Sequence, residues 1–148
     1  MRILVINGPN LNMLGRRDTK HYGGETLESI ERTLMERGKT LGCELVFFQS
    51  NNEGDIIDFI QNEIGQANGI LINPGALTHY GYTLHDALLD SILPVVEVHL
   101  SNIHIREDWR QKSVIADITI GQVTGFKEQS YYLGLEALVN HIRGQTDK

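Results

Sequence analysis

Cysteine is almost missing from this chain: one residue, Cys43, among 148. No intrachain disulfide can form, so the fold must rest on a hydrophobic core, and the usage fits a cytoplasmic protein. Cys43 opens an apolar run and reads as a small core residue rather than a nucleophile. Proline occurs three times, which leaves no Pro-rich linker, and residues 1–148 read as a single domain. Basic runs are absent. With a net charge of -6 and no clustered Lys/Arg to neutralise phosphates, the chain is not expected to bind nucleic acid. There is no tract of about 18 apolar residues, so no membrane span is expected. The N-terminal MRILVING carries too short an apolar run for a signal peptide. The six histidines form no HExxH, HxH or Cys/His pattern, so no metal site is expected. No GxGxxG and no P-loop Lys-Ser/Thr occurs, so no cofactor is expected through those phosphate-binding fingerprints. Lys20 lies in a polar loop, unlike the desolvated lysine that imine chemistry requires.

What the chain does have is an alternation of apolar runs with helical periodicity, the pattern of a parallel α/β sheet. Ile3-Leu4-Val5-Ile6 is continuous, as suits a strand covered on both faces. Thr26 caps a helix bearing Leu27, Ile30, Leu34 and Leu41, and Gly42 stops it. Leu45 to Phe48 form a second strand. Asn52 caps a helix with Ile56, Ile57, Ile60 and Ile64. Ile70 to Ile72 form a third strand, Tyr80 to Ser91 a third helix, and Val95 to Val98 a fourth strand. A fifth strand is expected near Ile115 to Ile120, then a last helix with Tyr131, Leu135, Leu138 and Ile142. Together these predict an α/β, flavodoxin-like doubly wound five-stranded parallel sheet with helices on both faces. Ligands of such sheets sit beyond the carboxyl ends of the strands, where strand order reverses.

Three strand ends carry polar residues. After the first come Asn7-Gly8-Pro9-Asn10, then Arg16-Arg17 and His21-Tyr22-Gly23-Gly24. Residues 8–24 are far longer than the two to six or so residues of an ordinary βα loop, and their composition suits a lid. After the third strand come Asn73-Pro74-Gly75 and Thr78-His79. After the fourth come Glu97, His99, Leu100 and Ser101, with Arg106 and Arg110 beyond. A phenol is a poor base near neutral pH. A guanidinium about 4 Å away, at an effective dielectric of about 20, favours a phenolate by roughly 4 kcal/mol. Tyr22 with Arg17 therefore reads as a tuned base. His99 stands two residues from Glu97, on the same face of a continuing strand. A carboxylate there fixes the imidazole's orientation, so His99 reads as the acid. A flavin-binding or receiver module of the same fold is the competing class. A receiver needs an acidic cluster after the first strand, where this chain has Asn7.

The segments NGPNLNMLGRR with Tyr22-Gly23, FFQSNNEGDIIDFI, INPGALTH with Asp86-Ala87-Leu88, and VVEVHLSNIHIRE with Trp109-Arg110 and Ser113 resemble the type II 3-dehydroquinate dehydratases over nearly the whole chain. That resemblance implies a lyase of the shikimate or quinate pathway, which in the shikimate case serves aromatic amino acid biosynthesis. It would convert 3-dehydroquinate to 3-dehydroshikimate by anti elimination through an enolate, without metal or Schiff base. It implies Tyr22 as base, Arg17 as the lid residue that keeps it ionised, and Asn10 as a holder of the enolate through a water. It implies His99 as acid supported by Glu97, Asn73 with the Leu100 and Ser101 amides on the substrate carboxylate, and His79, Asp86 and Arg110 on the ring hydroxyls. The family commonly assembles as a dodecamer of trimers, in which the aspartate at the Asp86 position can serve a neighbouring subunit. The chain departs from the usual pattern at Asp18-Thr19, Tyr80-Gly81, His85 and Lys127.

Overall fold

A computed structural model describes residues 1–146. One parallel sheet of five strands, in the order β2-β1-β3-β4-β5, organises the chain. The strands are β1 (Arg2–Asn7), β2 (Glu44–Gln49), β3 (Gly69–Asn73), β4 (Val95–His99) and β5 (Gly121–Thr124). This is the flavodoxin-like order, with its switch point between β1 and β3. The helices are α1 (Thr19–Tyr22), α2 (Leu27–Thr40), α3 (Glu53–Glu63), α4 (Tyr82–Ser91) and α5 (Gln129–Thr146).

Alternation along the strands separates two cores. Ile3 and Val5 face α2 and α5, meeting Ile30, Leu34, Tyr131, Leu135 and Leu138. Leu4 and Ile6 face α3 and α4, meeting Ile56, Ile60, Leu84 and Leu88. Both faces of β1, β3 and β4 are buried, which explains why their sequences are continuous rather than alternating. The caps fall where expected: Thr26 accepts from the Ser29 amide at 3.1 Å, and Asn52 from the Gly54 amide at 3.1 Å. Cys43 joins the α2/α5 core, and burial pushes its thiol pKa up.

The expected fifth strand at Ile115 to Ile120 is wrong. That segment makes a 3₁₀ turn at Ala116–Ile118, and Ile115 is fully buried as a plug over the α3/α4 core, flanked by Val114 and Ile118. The strand itself is the next four residues, GQVT, a part-exposed edge whose sequence carries no apolar run. The third helix begins two residues later than expected, because Gly75–His79 forms a separate 3₁₀ turn. Ile64 ends α3 exposed rather than on its buried face.

Two interlocked turns fix the carboxyl ends of β1 and β3. The Gly8 amide donates to the Asn73 carbonyl at 2.8 Å. A Cβ on Gly8 would sit 2.3 Å from the Pro74 oxygen, and one on Gly75 would sit 2.9 Å from the Pro9 oxygen. Backbone approaches backbone here, so neither position has room for a side chain. Asn10 follows in the left-handed region at φ 68°, which asparagine tolerates better than most residues. Its amide donates to Asn51 Oδ1 at 2.9 Å.

On α5, Gly134 lets the helix settle on the sheet: a Cβ there would lie 2.6 Å from Val98 Cγ1 and 2.9 Å from Leu71 Cδ1. Gly134→Ala would gain about 1 kcal/mol of helix propensity but overpack two buried strand residues, at about 1–3 kcal/mol. Because the stiff valine cannot rotate away, overpacking should prevail, lowering the urea midpoint of Gly134→Ala. A raised midpoint would refute this packing account.

Candidate active site

A cleft opens beyond the carboxyl ends of β1, β3 and β4. It gathers nearly all the residues singled out by their strand-end position: Asn10, Arg17, Tyr22, Asn73, His79, His99, Leu100, Ser101 and Arg110 line it. Arg106 lines it as well. Two of the expected residues do not. Glu97 lies fully buried beneath His99. Asp86 stands on α4 with its side chain 78% exposed, beside His85, outside the cleft of its own chain. Among the described lining residues there are three arginines and no carboxylate, in a chain whose net charge is -6. Such a cleft concentrates positive potential and suits an anionic ligand.

Glu97 is the fixed point of the site. One carboxylate oxygen meets His99 Nε2 at 2.6 Å and also accepts from the Thr78 hydroxyl. The other accepts from Ser113 Oγ at 2.9 Å and Gln122 Nε2 at 2.7 Å. Burial pushes the Glu97 pKa up, but the hydrogen bond and charge of His99, with the bonds from Thr78 and Gln122, outweigh it and hold the pKa below the usual value. An ionised carboxylate only accepts, so His99 Nε2 carries a proton and Nδ1 is the ring nitrogen left for the cleft. Register supplies one of these donors: Gln122 on β5 pairs with Glu97 on β4, which sets the two side chains on one face.

A second buried relay orders the floor. Asn73 Nδ2 donates to Tyr131 Oη at 2.9 Å, and that hydroxyl donates to Asn7 Oδ1 at 2.6 Å. Asn73 Oδ1 accepts from the Gly75 amide at 3.1 Å. The amide is thereby oriented, with one Nδ2 hydrogen spare. His79 Nδ1 sits 2.7 Å from the Lys112 carbonyl, which requires Nδ1 to be the protonated nitrogen. Burial lowers its pKa. Arg110 stacks 3.9 Å from the centroid of Trp109 and donates to Glu107.

The loop expected to serve as a lid is structured. Asp18 caps α1 by accepting from the Lys20 amide at 2.9 Å and pairs with His21 Nδ1. Tyr22, the last residue of α1, points into the cleft between two guanidiniums. Arg17 lies over its ring face, 3.9 Å from the centroid. Arg106 Nη1 donates to its oxygen at 2.8 Å. The cation on the phenol oxygen is therefore Arg106, to which sequence reasoning gave no role, while Arg17 acts through the ring. A lone arginine in a polar stretch gives no spacing signal. Thr78 and Ser113 were named in the sequence without a role, while the donor Gln122 and the relay residue Tyr131 were hidden, the last by its place on an apolar helix stripe.

No three of His, Cys, Asp and Glu cluster among the described residues in a way that could hold a metal ion, and none of the described helices is long and apolar enough to cross a membrane.

Fold and cleft together define an α/β protein of the doubly wound class with a cationic small-molecule site at its switch point. Comparison with known proteins narrows the class. The family described as Dehydroquinase class II matches residues 1–139. A 3-dehydroquinate dehydratase of Halothermothrix orenii is 53% identical over 142 residues, covering 96% of each chain. The crystal structure of a type II dehydroquinase from Butyrivibrio crossotus superposes with a TM-score of 0.90 at 44% identity, over 93% of this chain and 97% of that one. One from Propionibacterium acnes gives 0.89 at 36% identity, over 94% and 96%. The chain belongs to the type II dehydroquinase family.

The pKa shift of Glu97 has a consequence for stability. Because the folded value lies below the ordinary 4.5, ionised Glu97 stabilises the fold fully above about that pH, and the contribution is lost as pH falls through the folded value. In Glu97→Gln an amide must face four donors, leaving at least one buried group unpaired at about 1–3 kcal/mol. Urea unfolding should show Glu97→Gln less stable than wild type at pH 7, with the gap narrowing as pH falls below 4.5. A gap independent of pH would contradict an ionised Glu97.

Proposed function

We propose that this protein dehydrates 3-dehydroquinate to 3-dehydroshikimate, with Tyr22 as base and His99 as acid. One observation carries the reading: Tyr22 has a guanidinium on its oxygen and another on its ring face, and it shares a cleft with His99, whose Nε2 is held by a buried carboxylate. The names of the relatives, 3-dehydroquinate dehydratase and type II dehydroquinase, support the substrate.

The chemistry follows from the groups. A proton at C2, beside the ketone, is acidic enough for a phenolate held by two cations. Tyr22 removes it, and the electron pair moves into an enolate, with Asn10 placed to help hold the oxygen through a water. The enolate collapses to the C1–C2 double bond and expels the C1 hydroxyl, which takes the Nδ1 proton of a doubly protonated His99, Nε2 staying on Glu97, and leaves as water. One proton and one hydroxyl are lost in all. Returning the proton from Tyr22 to His99 through solvent resets the site. The base on the lid and the acid on β4 are separate groups, which suits stepwise anti elimination, and neither step calls for a metal or an imine. The spare Asn73 hydrogen and the Leu100 and Ser101 amides would hold the substrate carboxylate, in keeping with the cationic cleft. His79 and Arg110 would bind ring hydroxyls.

Asp86 would complete a neighbour's site. Its outward placement on α4 and the exposed Tyr80, Tyr82, Ile105 and Trp109 support a homo-oligomer, read as the family's dodecamer. The reading carries with it the shikimate or quinate pathway and a cytoplasmic location.

Purified protein given 3-dehydroquinate should generate an ultraviolet-absorbing conjugated product, unaffected by chelator or by borohydride with substrate. Tyr22→Phe should lower kcat by about 10²–10⁴-fold, the usual contribution of one positioned base. Full activity in that variant would remove Tyr22 as the base, and borohydride inactivation would remove the mechanism.

A further inference from the structure

Lys127, one of the chain's departures from the usual family pattern, lies on the turn between β5 and α5 and has no part in the cleft lining or the Glu97 network. We propose that it is a positioning residue that latches the lid, joining the segment that bears His99 to the helix that bears Tyr22. The proposal deepens the dehydration reading and rests on it for its kinetic consequence alone.

Three contacts support the assignment. The backbone amide of Lys127 donates to the Leu100 carbonyl at 2.9 Å, and the Gly125 amide just before it lies 3.3 Å from the His99 carbonyl. The turn is thus fastened to the end of β4. From there the side chain reaches the lid, and its Nζ donates to the Lys20 carbonyl at 3.0 Å. That carbonyl lies in the last turn of α1, where a lysine commonly satisfies backbone oxygens that the helix leaves unpaired. The aliphatic stem runs along Gly23: a Cβ there would lie 3.3 Å from Lys127 Cδ. Gly23 is buried although its neighbour Gly24 is exposed. The lysine is therefore both a donor to α1 and a wall against which the lid's exit packs.

The backbone supplies a second, independent observation. Among the described residues Lys127 is one of three non-glycine positions with positive φ, at 51°. A lysine at such a position is less favourable than glycine, and such conformations persist only where the surroundings over-determine them. Here the amide bond to Leu100 and the side-chain bond to Lys20 do so. α1 has only four residues and cannot be stable by itself. The Lys127 bond adds to the packing of Tyr22 against the α2/α5 core and to its guanidinium contacts in tying the helix to the body of the protein.

Lid position can be read without turnover by limited trypsin digestion, with cuts after Arg16, Arg17 and Lys20 mapped by mass spectrometry. Lys127→Met keeps the stem and removes the donor; it should be cut in the lid roughly two- to tenfold faster than wild type, the range that one net hydrogen bond carries. Lys127→Gly relaxes the backbone and should be cut equally fast with an unchanged or higher Tm, which separates a lost latch from a weakened fold. Lys127→Arg should restore slow cutting. With 3-dehydroquinate, Lys127→Met should lose roughly two- to tenfold in kcat with KM nearly unchanged, because the substrate cleft remains while Tyr22 is less often in place. Lid cutting at the wild-type rate in Lys127→Met would overturn the proposal, as would faster cutting that tracks a lowered Tm in both Met and Gly variants. If wild type fails to turn over 3-dehydroquinate, the dehydration reading falls while the digestion comparison still decides the latch.

Discussion

A single buried carboxylate organises the cleft. Glu97 takes hydrogen bonds from the turn after β3, from the segment after the 3₁₀ turn at Asp108–Arg110, from β5 and from His99 two residues along its own strand. A charge in the interior is tolerable only when it is paired and its lone pairs are filled, and Glu97 meets both conditions. The cost of breaking that arrangement keeps four chain segments in register at one end of the sheet. Its consequence for His99 is chemical as well as structural, since it dictates which ring nitrogen holds the proton and which faces the cleft.

The other half of the site is arranged differently. Tyr22 stands on a four-residue helix within a long loop, packed against the α2/α5 core and flanked by cations: Arg17 of the same loop on the ring, Arg106 on the oxygen and, as proposed, Lys127 on the helix end. Under the proposed mechanism the acid would stand on a rigid strand and the base on a loop, and the base would be effective only where its counter-charges surround it. The contrast is one of energetics. Glu97 is anchored by four hydrogen bonds, two buried and two part-buried, whereas the four-residue α1 is held by fewer contacts, so the Tyr22 end of the site is the less strongly anchored of the two.

Much of this was legible in the sequence because the fold class ties function to strand ends. Asn73 and His99 end strands whose apolar runs are unmistakable, and an oversized loop after β1 pointed to Tyr22 and Arg17. What was not legible falls into two kinds. Some residues act through tertiary placement that no spacing encodes: Arg106 reaches Tyr22 across 84 positions of sequence, and Tyr131 spans from α5 to both Asn7 and Asn73. The other kind is a failure of pattern. The apolar segment at Ile115 plugs a core, while the true edge strand is short and polar, so hydrophobicity pointed to the wrong strand and hid Gln122 as a donor to Glu97. Asp86 departs from the expectation, since its exposed side chain lies outside the cleft.

The central claim is that Glu97 fixes His99 with its proton on Nε2 and Nδ1 toward the cleft. Long-range nitrogen–proton correlation spectra of the histidine rings, with His99 assigned through a His99→Gln variant, test this directly. In the neutral ring, Nε2 should be the protonated, pyrrole-type nitrogen and Nδ1 the unprotonated one. A neutral His99 protonated at Nδ1 would contradict the account, because Nε2 would then have no proton to offer the carboxylate on which the site is built.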